Sequence, residues 1–222
     1  MSAELPERRP PRPGRRVGVV GGTFDPVHLG HLAMAEAAAD CAGLDEVLLL
    51  PAAVPPHRSA AQAPAADRLE MCRLAVRGHP RLHVSDLELH RPGPSYTVDT
   101  LELLARQRPR DQLFLVLGWD AARDLRAWRE PGRVLELAKL VVVTRPGWPR
   151  PHPRDLAAAG IDPGSAVLCD VDTPDVGASE IRRLIAGGES LDRLLDPAVD
   201  AYIRRHRLYS TSSGPSGHNR SR

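Results

Sequence analysis

Short Val- and Leu-rich apolar runs recur along the chain, at Val17–Val20, Val47–Leu50, Leu82–Leu87, Leu113–Leu117, Leu140–Val143 and Ala166–Cys169. Segments with apolar positions at helical spacing lie between them, near Gly30–Cys41, Ala66–Arg77, Val98–Arg106, Pro131–Ala138 and Ser179–Ala186, with a last one near Ala198–Arg205. A strand that is apolar on both faces must be covered on both, and helix-length crossovers are what join parallel strands. The alternation therefore predicts a single-domain, doubly wound (Rossmann-like) α/β fold, a mostly parallel sheet with helices on both faces. In such sheets ligands sit beyond the carboxyl ends of the strands, which directs attention to the residues just after Val20, Leu50, Leu117 and Cys169. The Pro-rich stretch Thr144–Pro153 reads as a surface loop.

The two ends differ from this pattern. Residues 1–16 and 210–222 hold too little apolar surface to offset the entropy of ordering them, so both read as disordered tails around a domain at 17–209. The formal charge of the 222-residue chain is +2, yet residues 1–16 carry five Arg against two Glu and residues 210–222 two Arg and no acid, which leaves the body net acidic. An acidic body argues against nucleic-acid binding. No apolar run approaches the roughly 18 residues of a membrane span, and the polar, Arg-rich start lacks the apolar core of a secretion signal, so a cytoplasmic location is expected. Cysteines 41, 72 and 169 are odd in number, distant and outside any CxxC pair, which argues against a disulfide framework or a thiolate zinc site and suggests buried small apolar residues. Lys139 is the single lysine, so Arg stands in many places where Lys would serve.

The chemistry concentrates after the first strand run. Gly21-Gly22-Thr23-Phe24-Asp25-Pro26 follows at once, and His28-Leu29-Gly30-His31 opens an apolar helix. Two glycines let backbone pass close to a ligand, and the free N–H groups at the positive end of the helix suit phosphate oxygens. Histidines three residues apart at that end can face one way and donate to a phosphate, with Gly30 leaving room between them. The order lacks GxxxxGK[ST] and GxGxxG, which excludes a P-loop kinase or ATPase and a dinucleotide-binding oxidoreductase of the usual kind. HxxH without an adjacent Glu or a third ligand is a weak zinc pattern. Either histidine alone could be a capping or core residue; joined to the glycine turn and Asp25-Pro26 that account has little packing use to explain.

GGTFDPVHLGH at Gly21–His31 resembles the signature of the HxGH nucleotidyltransferases, in the form found in bacterial nicotinate-nucleotide adenylyltransferases. The resemblance continues through Leu50-Pro51, Pro55-Pro56-His57-Arg58, Asp67-Arg68, Ser85-Asp86, Arg91–Leu101, Gly118-Trp119-Asp120, Trp128 and Ser179-Glu180-Ile181-Arg182. It implies transfer of AMP from ATP to the phosphate of nicotinate mononucleotide, with release of pyrophosphate and Mg²⁺ assisting, in NAD biosynthesis. By the same resemblance His28, His31 and Arg182 are catalytic. Gly21, Gly22, Thr23, Phe24, Gly118, Asp120, Ser179 and Ile181 bind ATP, and Asp25, Arg58, Tyr96, Thr97 and Trp128 serve the acceptor. Asp25 orients the turn or meets bound groups, Gly118 and Asp120 meet the ribose, Trp128 stacks on the pyridine ring, and Tyr96-Thr97 meet its carboxylate. The family's ISSTxIR reads here Val176-Gly177-Ala178-Ser179-Glu180-Ile181-Arg182, with two serines gone, and Arg58 stands where Lys is usual.

The nucleophile in that reaction is already a phosphate anion, so in-line positioning and charge neutralisation carry it and no general base is needed. With no paired-carboxylate site in the sequence, the metal is expected to arrive with ATP. Other acceptors share the chemistry: nicotinamide mononucleotide differs at one group, while the RPGPSYTVDTL segment argues against a phosphopantetheine or cytidylyl enzyme. A nucleotide sensor without turnover is the alternative of a different class. A homo-oligomer is compatible with all of these.

Overall fold

The computed structural model describes residues 14–56, 61–144, 149–171 and 177–210; Arg58, His57 and the outer parts of both tails lie outside the described residues. Six strands, β1 (Arg16–Gly22), β2 (Glu46–Pro51), β3 (Leu82–Val84), β4 (Gln112–Gly118), β5 (Ala138–Thr144) and β6 (Val167–Asp170), form one sheet in the order β3-β2-β1-β4-β5-β6. Every pairing is parallel. The helices are α1 (Leu29–Cys41), α2 (Ala65–Ala75), α3 (Thr97–Gln107), α4 (Trp119–Ala122), α5 (Pro131–Leu137), α6 (Pro153–Ala158), α7 (Ala178–Gly187) and α8 (Pro197–His206), with a 3-10 turn at Leu125–Ala127.

Strand side chains alternate between two apolar cores, because successive Cβ atoms point to opposite faces of a strand. Val20, Leu49, Phe114, Val116, Val141 and Val143 face one core, covered by α1, α2, α7 and α8. Val19, Leu48, Leu50, Leu115, Leu117, Leu140 and Val142 face the other, beneath α3, α5 and α6. This is the doubly wound arrangement expected from the two-sided apolar runs.

The strand order reverses direction between β1 and β4, both central, and this opens a crevice beyond their carboxyl ends. Gly21-Gly22 ends one of these strands and Gly118 the other.

β3 stops at Val84, short of Leu87, where the chain leaves the sheet for a turn, and three further features differ from expectation. First, α4, the 3-10 turn and α6 have no counterpart in the sequence pattern: at four, three and six residues they are too short to show helical periodicity. Pro153, assigned to the loop, instead opens α6, where its missing N–H is harmless. Second, β1 begins at Arg16, and the last two residues assigned to the tail are held in place. Arg16 N–H donates to Asp45 Oδ2 at 2.7 Å, Arg15 N–H donates to Asp111 Oδ1 at 3.0 Å, and the Arg15 guanidinium meets buried Glu46 at 3.2 Å. Third, Cys41 and Cys169 form a disulfide with 6.1 Å between Cα atoms, joining the end of α1 to β6. Neither belongs to a spacing motif; the fold brings together residues 128 apart. Cys72 alone among the three is a buried free thiol, its pKa raised by desolvation.

Candidate active site

The turn after β1 is held from beneath by a buried arginine. Arg68, on α2, is 1% exposed; its Nη1 donates to Thr23 O at 2.6 Å, its Nε to Ala63 O at 3.2 Å and its Nη2 to Ala53 O at 3.3 Å. Burial lowers its pKa, opposed by the nearby Asp25 carboxylate. Phe24, left-handed at φ 49°, drives its ring into the core beneath Gly22, where an added Cβ would meet that ring at 3.1 Å. A Cβ at Gly21 would meet no protein atom within 4 Å, so packing does not demand glycine there.

Asp25 is 4% exposed and joins three parts of the chain. Its Oδ2 accepts from Gln62 N–H at 2.8 Å, and its Oδ1 accepts from Ala63 N–H at 3.0 Å and from the Tyr209 hydroxyl at 2.8 Å. These contacts are those of a turn-orienting group, one of the two roles expected for this carboxylate.

Beyond the turn, His28 and His31 stand at the amino end of α1 with their rings stacked at 3.7 Å. The Phe24 ring meets His31 edge-on at 4.9 Å. His28 N–H donates to His31 Nδ1 at 3.2 Å, so His31 Nδ1 is an acceptor and the ring proton sits on Nε2, which becomes a donor. Leu29 N–H donates to Leu194 O at 2.9 Å and so docks the start of α1 on the C-terminal region.

Arg182, 157 residues from Asp25, reaches the same place from α7: its Nη1 donates to Asp25 O at 2.6 Å and its Nη2 to Ser179 Oγ at 3.2 Å. Its buried Nε donates to nothing among the described residues. The amino end of α1, two imidazoles, a hydroxyl and a guanidinium thus gather around one turn, a donor set suited to phosphate oxygens. Ile181 does not join them. Its side chain is fully buried in the core, about 100° around α7 from Arg182, and its N–H is taken by Gly177 O at 3.1 Å in the helix ladder.

Gly118 caps α4 beside this turn, and a Cβ there would lie 2.5 Å from Asp120 Oδ1. Tyr96 caps α3, with Thr97 its first residue, and Tyr96 and Trp128 both pack on the second core. The Arg129 guanidinium lies 4.8 Å over the Tyr96 ring. Ala53 N–H donates to Ser95 Oγ at 3.0 Å and Ala52 N–H to Gly22 O at 2.9 Å, which ties the Tyr96 segment to the β1 turn. Under α3, the Thr100 hydroxyl donates to buried Glu88 at 2.7 Å, and Arg91 bridges Thr100 and Asp99. Burial raises the Glu88 pKa, with the Thr100 and Ser95 hydrogen bonds and the Arg91 charge opposing.

The sequence pattern assigns no role to Arg68, Tyr209 or Glu88. For Arg68 a signal existed: it lies four residues before Cys72 and seven before Ala75, on the buried stripe of α2, where an arginine must have internal partners.

The profile of the cytidylyltransferase-like family matches residues 19–184, from within β1 into α7. A protein of Thermus thermophilus described as a probable nicotinate-nucleotide adenylyltransferase is 45% identical over 196 residues, covering 87% of this chain and 99% of that protein. One of Pseudomonas syringae pv. tomato with the same description is 46% identical, covering 88% and 94%. The chain belongs to the cytidylyltransferase-like family, among the nicotinate-nucleotide adenylyltransferases. The fold of this cytidylyltransferase-like chain is shared by the Plasmodium falciparum nicotinic acid mononucleotide adenylyltransferase complexed with NaAD, with a TM-score of 0.73, 18% identity, and coverage of 88% of this chain and 97% of that one. Among the described residues no helix is long and apolar enough to cross a membrane.

Proposed function

We propose that this chain transfers the adenylyl group of ATP to the phosphate of nicotinate mononucleotide, forming nicotinate adenine dinucleotide and pyrophosphate. The observation that carries the reading is the convergence of His28, His31, Ser179 and Arg182 on the turn after β1, at the point where the strand order reverses. An acceptor phosphate oxygen attacks the α-phosphorus of ATP, the bond from that phosphorus to the bridging oxygen of the β-phosphate breaks, and the electron pair leaves with pyrophosphate. The acceptor is an anion before it reacts, so no proton has to be removed. His31 Nε2–H donates to the transferring phosphate, and Arg182 with Ser179 takes the β- and γ-phosphates. Gly21, Gly22 and Thr23 bring backbone close to the nucleotide, and Asp120, at the end of the adjacent strand, accepts from the ribose hydroxyls.

The donors gathered here are N–H and O–H groups and cations, and Asp25 is already held by protein donors, so these residues suit the phosphates of ATP rather than its metal. Mg²⁺ bound to ATP would offset part of the triphosphate charge. On the acceptor side Trp128 stacks on the pyridine ring and Tyr96-Thr97, at the amino end of α3, receive its carboxylate. A cytoplasmic site of action fits these substrates.

The test is pyrophosphate release from ATP and Mg²⁺ with nicotinate mononucleotide, nicotinamide mononucleotide and phosphopantetheine offered separately. Strong preference for the nicotinate acceptor is expected. Preference for another would keep the phosphate chemistry and discard the Tyr96, Thr97 and Trp128 pocket, and binding of ATP without turnover on any acceptor would replace the enzyme by a nucleotide sensor.

A further inference from the structure

The chain beyond α8 turns back toward the β1 turn. Arg207 and Tyr209 both take the left-handed conformation, at φ 53° and 61°. Residues with side chains adopt it rarely, and it persists where surrounding contacts impose it. At Arg207 it is the C-cap of α8, with the Arg207 N–H donating to Arg204 O and Ile203 O; at Tyr209 the contact is the hydroxyl donating to Asp25 Oδ1, across 184 residues of sequence. Burial and the Asp25 carboxylate raise the phenol pKa, so the group remains a donor at ordinary pH.

Asp25 and Arg182 present an arrangement that needs explaining. A carboxylate and a guanidinium side by side in a partly buried place ordinarily close into a forked, doubly hydrogen-bonded pair. These do not: Arg182 Nη1 stays 3.7 Å from Asp25 Oδ2 and donates instead to the Asp25 carbonyl. Oδ2, the oxygen Arg182 faces, already accepts from Gln62 N–H, and the charge of the carboxylate is shared further by Ala63 N–H and the Tyr209 hydroxyl on Oδ1. The first two belong to the segment before α2, which Arg68 holds; the third comes from the C-terminal turn alone.

We propose that Tyr209 is a positioning residue of the phosphate site: its hydroxyl donates to Asp25 Oδ1 and so disperses the carboxylate charge, which weakens the pull of Oδ2 on Arg182 and leaves the guanidinium to the phosphates of the nucleotide. The inference rests on Arg182 being a phosphate ligand, and it adds the C-terminal turn to the machinery. Without the phenol, Asp25 Oδ1 loses a donor, its charge is less dispersed, and Arg182 is its nearest cation.

The experiment compares Tyr209→Phe with Tyr202→Phe. Tyr202, on α8, also donates its hydroxyl to a carboxylate, Asp67 Oδ1 at 2.8 Å, but does not touch Asp25. Thermal unfolding reports the stability of each, calorimetry the Kd for Mg²⁺-pyrophosphate and Mg²⁺-ATP, and steady-state kinetics the KM of each substrate. Tyr209→Phe is expected to raise the KM for ATP and the Kd for pyrophosphate about five- to tenfold, with the KM for nicotinate mononucleotide unchanged. Tyr202→Phe should leave all three unchanged whatever its effect on stability. In an Arg182→Ala background the Tyr209→Phe effect should vanish, since no guanidinium remains to be captured. The proposal is overturned if Tyr209→Phe leaves ATP and pyrophosphate binding unaltered, if the two tyrosine variants behave alike, or if the effect persists undiminished without Arg182. Failure of the unaltered protein to bind ATP or pyrophosphate would instead overturn the phosphate reading beneath it, and this proposal with it.

Discussion

Replacing Arg68 by methionine keeps most of the side-chain volume and removes the guanidinium, so it isolates what the buried arginine contributes. Two effects oppose each other. Loss of a buried cation relieves its desolvation, and buried ion pairs can often be exchanged for apolar groups at little cost. Here, however, the partners are the backbone carbonyls of Thr23, Ala53 and Ala63, which no side-chain substitution removes. An orphaned carbonyl costs about 1–3 kcal/mol. The 2.6 Å bond to Thr23 and the fully buried bond to Ala63 should fall in the upper part of that range, the 3.3 Å bond to Ala53 near the bottom. After relief of desolvation a net loss of about 3–5 kcal/mol is expected, a large share of the roughly 5–15 kcal/mol that holds a domain together. With a urea slope of about 2–3 kcal/mol/M, the unfolding midpoint should fall by about 1–2.5 M. Arg68→Lys keeps the charge but not the three-way fork, and should fall between the two. A midpoint shift for Arg68→Met below about 0.3 M would refute the view that this arginine holds the three segments under the turn.

Other expectations follow from the site. His31→Ala should lower turnover in the pyrophosphate-release assay by about 10²–10³-fold, the loss typical of one preorganised donor to transition-state charge, with the circular dichroism spectrum unchanged. Gly118→Ala should raise the KM for ATP more than that for the acceptor, because its Cβ, 2.5 Å from Asp120 Oδ1, must displace that carboxylate. Glu88 has its folded-state pKa raised by burial, so its contribution to stability is fully present below the ordinary carboxylate pKa and is lost as pH rises through the raised value. Glu88→Gln has no such loss. Urea titrations from pH 4 upward should therefore show the variant gaining on the unaltered protein as pH rises, and a pH-independent difference would contradict the assignment.

Much of this protein was legible in one dimension because the relevant signals repeat or lie close together. Six apolar runs and the helical spacing between them determined a parallel, two-faced α/β sheet, since each strand reports its burial through several residues at once. The strand, glycine turn and helix start from Val17 to His31 is contiguous, so the order of its elements could be read without the distant partners that hold the turn in place. Tertiary structure decided what depends on single contacts across long separations. It put β4 beside β1, bringing Gly118 to the turn, set Arg182 on the Asp25 carbonyl, bonded Cys41 to Cys169, and returned Tyr209 to Asp25 from the far end of the chain. It also turned Ile181 into the core while its neighbour Arg182 reached the site, a choice made by which face of α7 meets the sheet. A lone arginine, tyrosine or cysteine has no periodicity to betray its partner. Its role is a hydrogen bond or a covalent bond that exists only once the sheet has brought the two ends together.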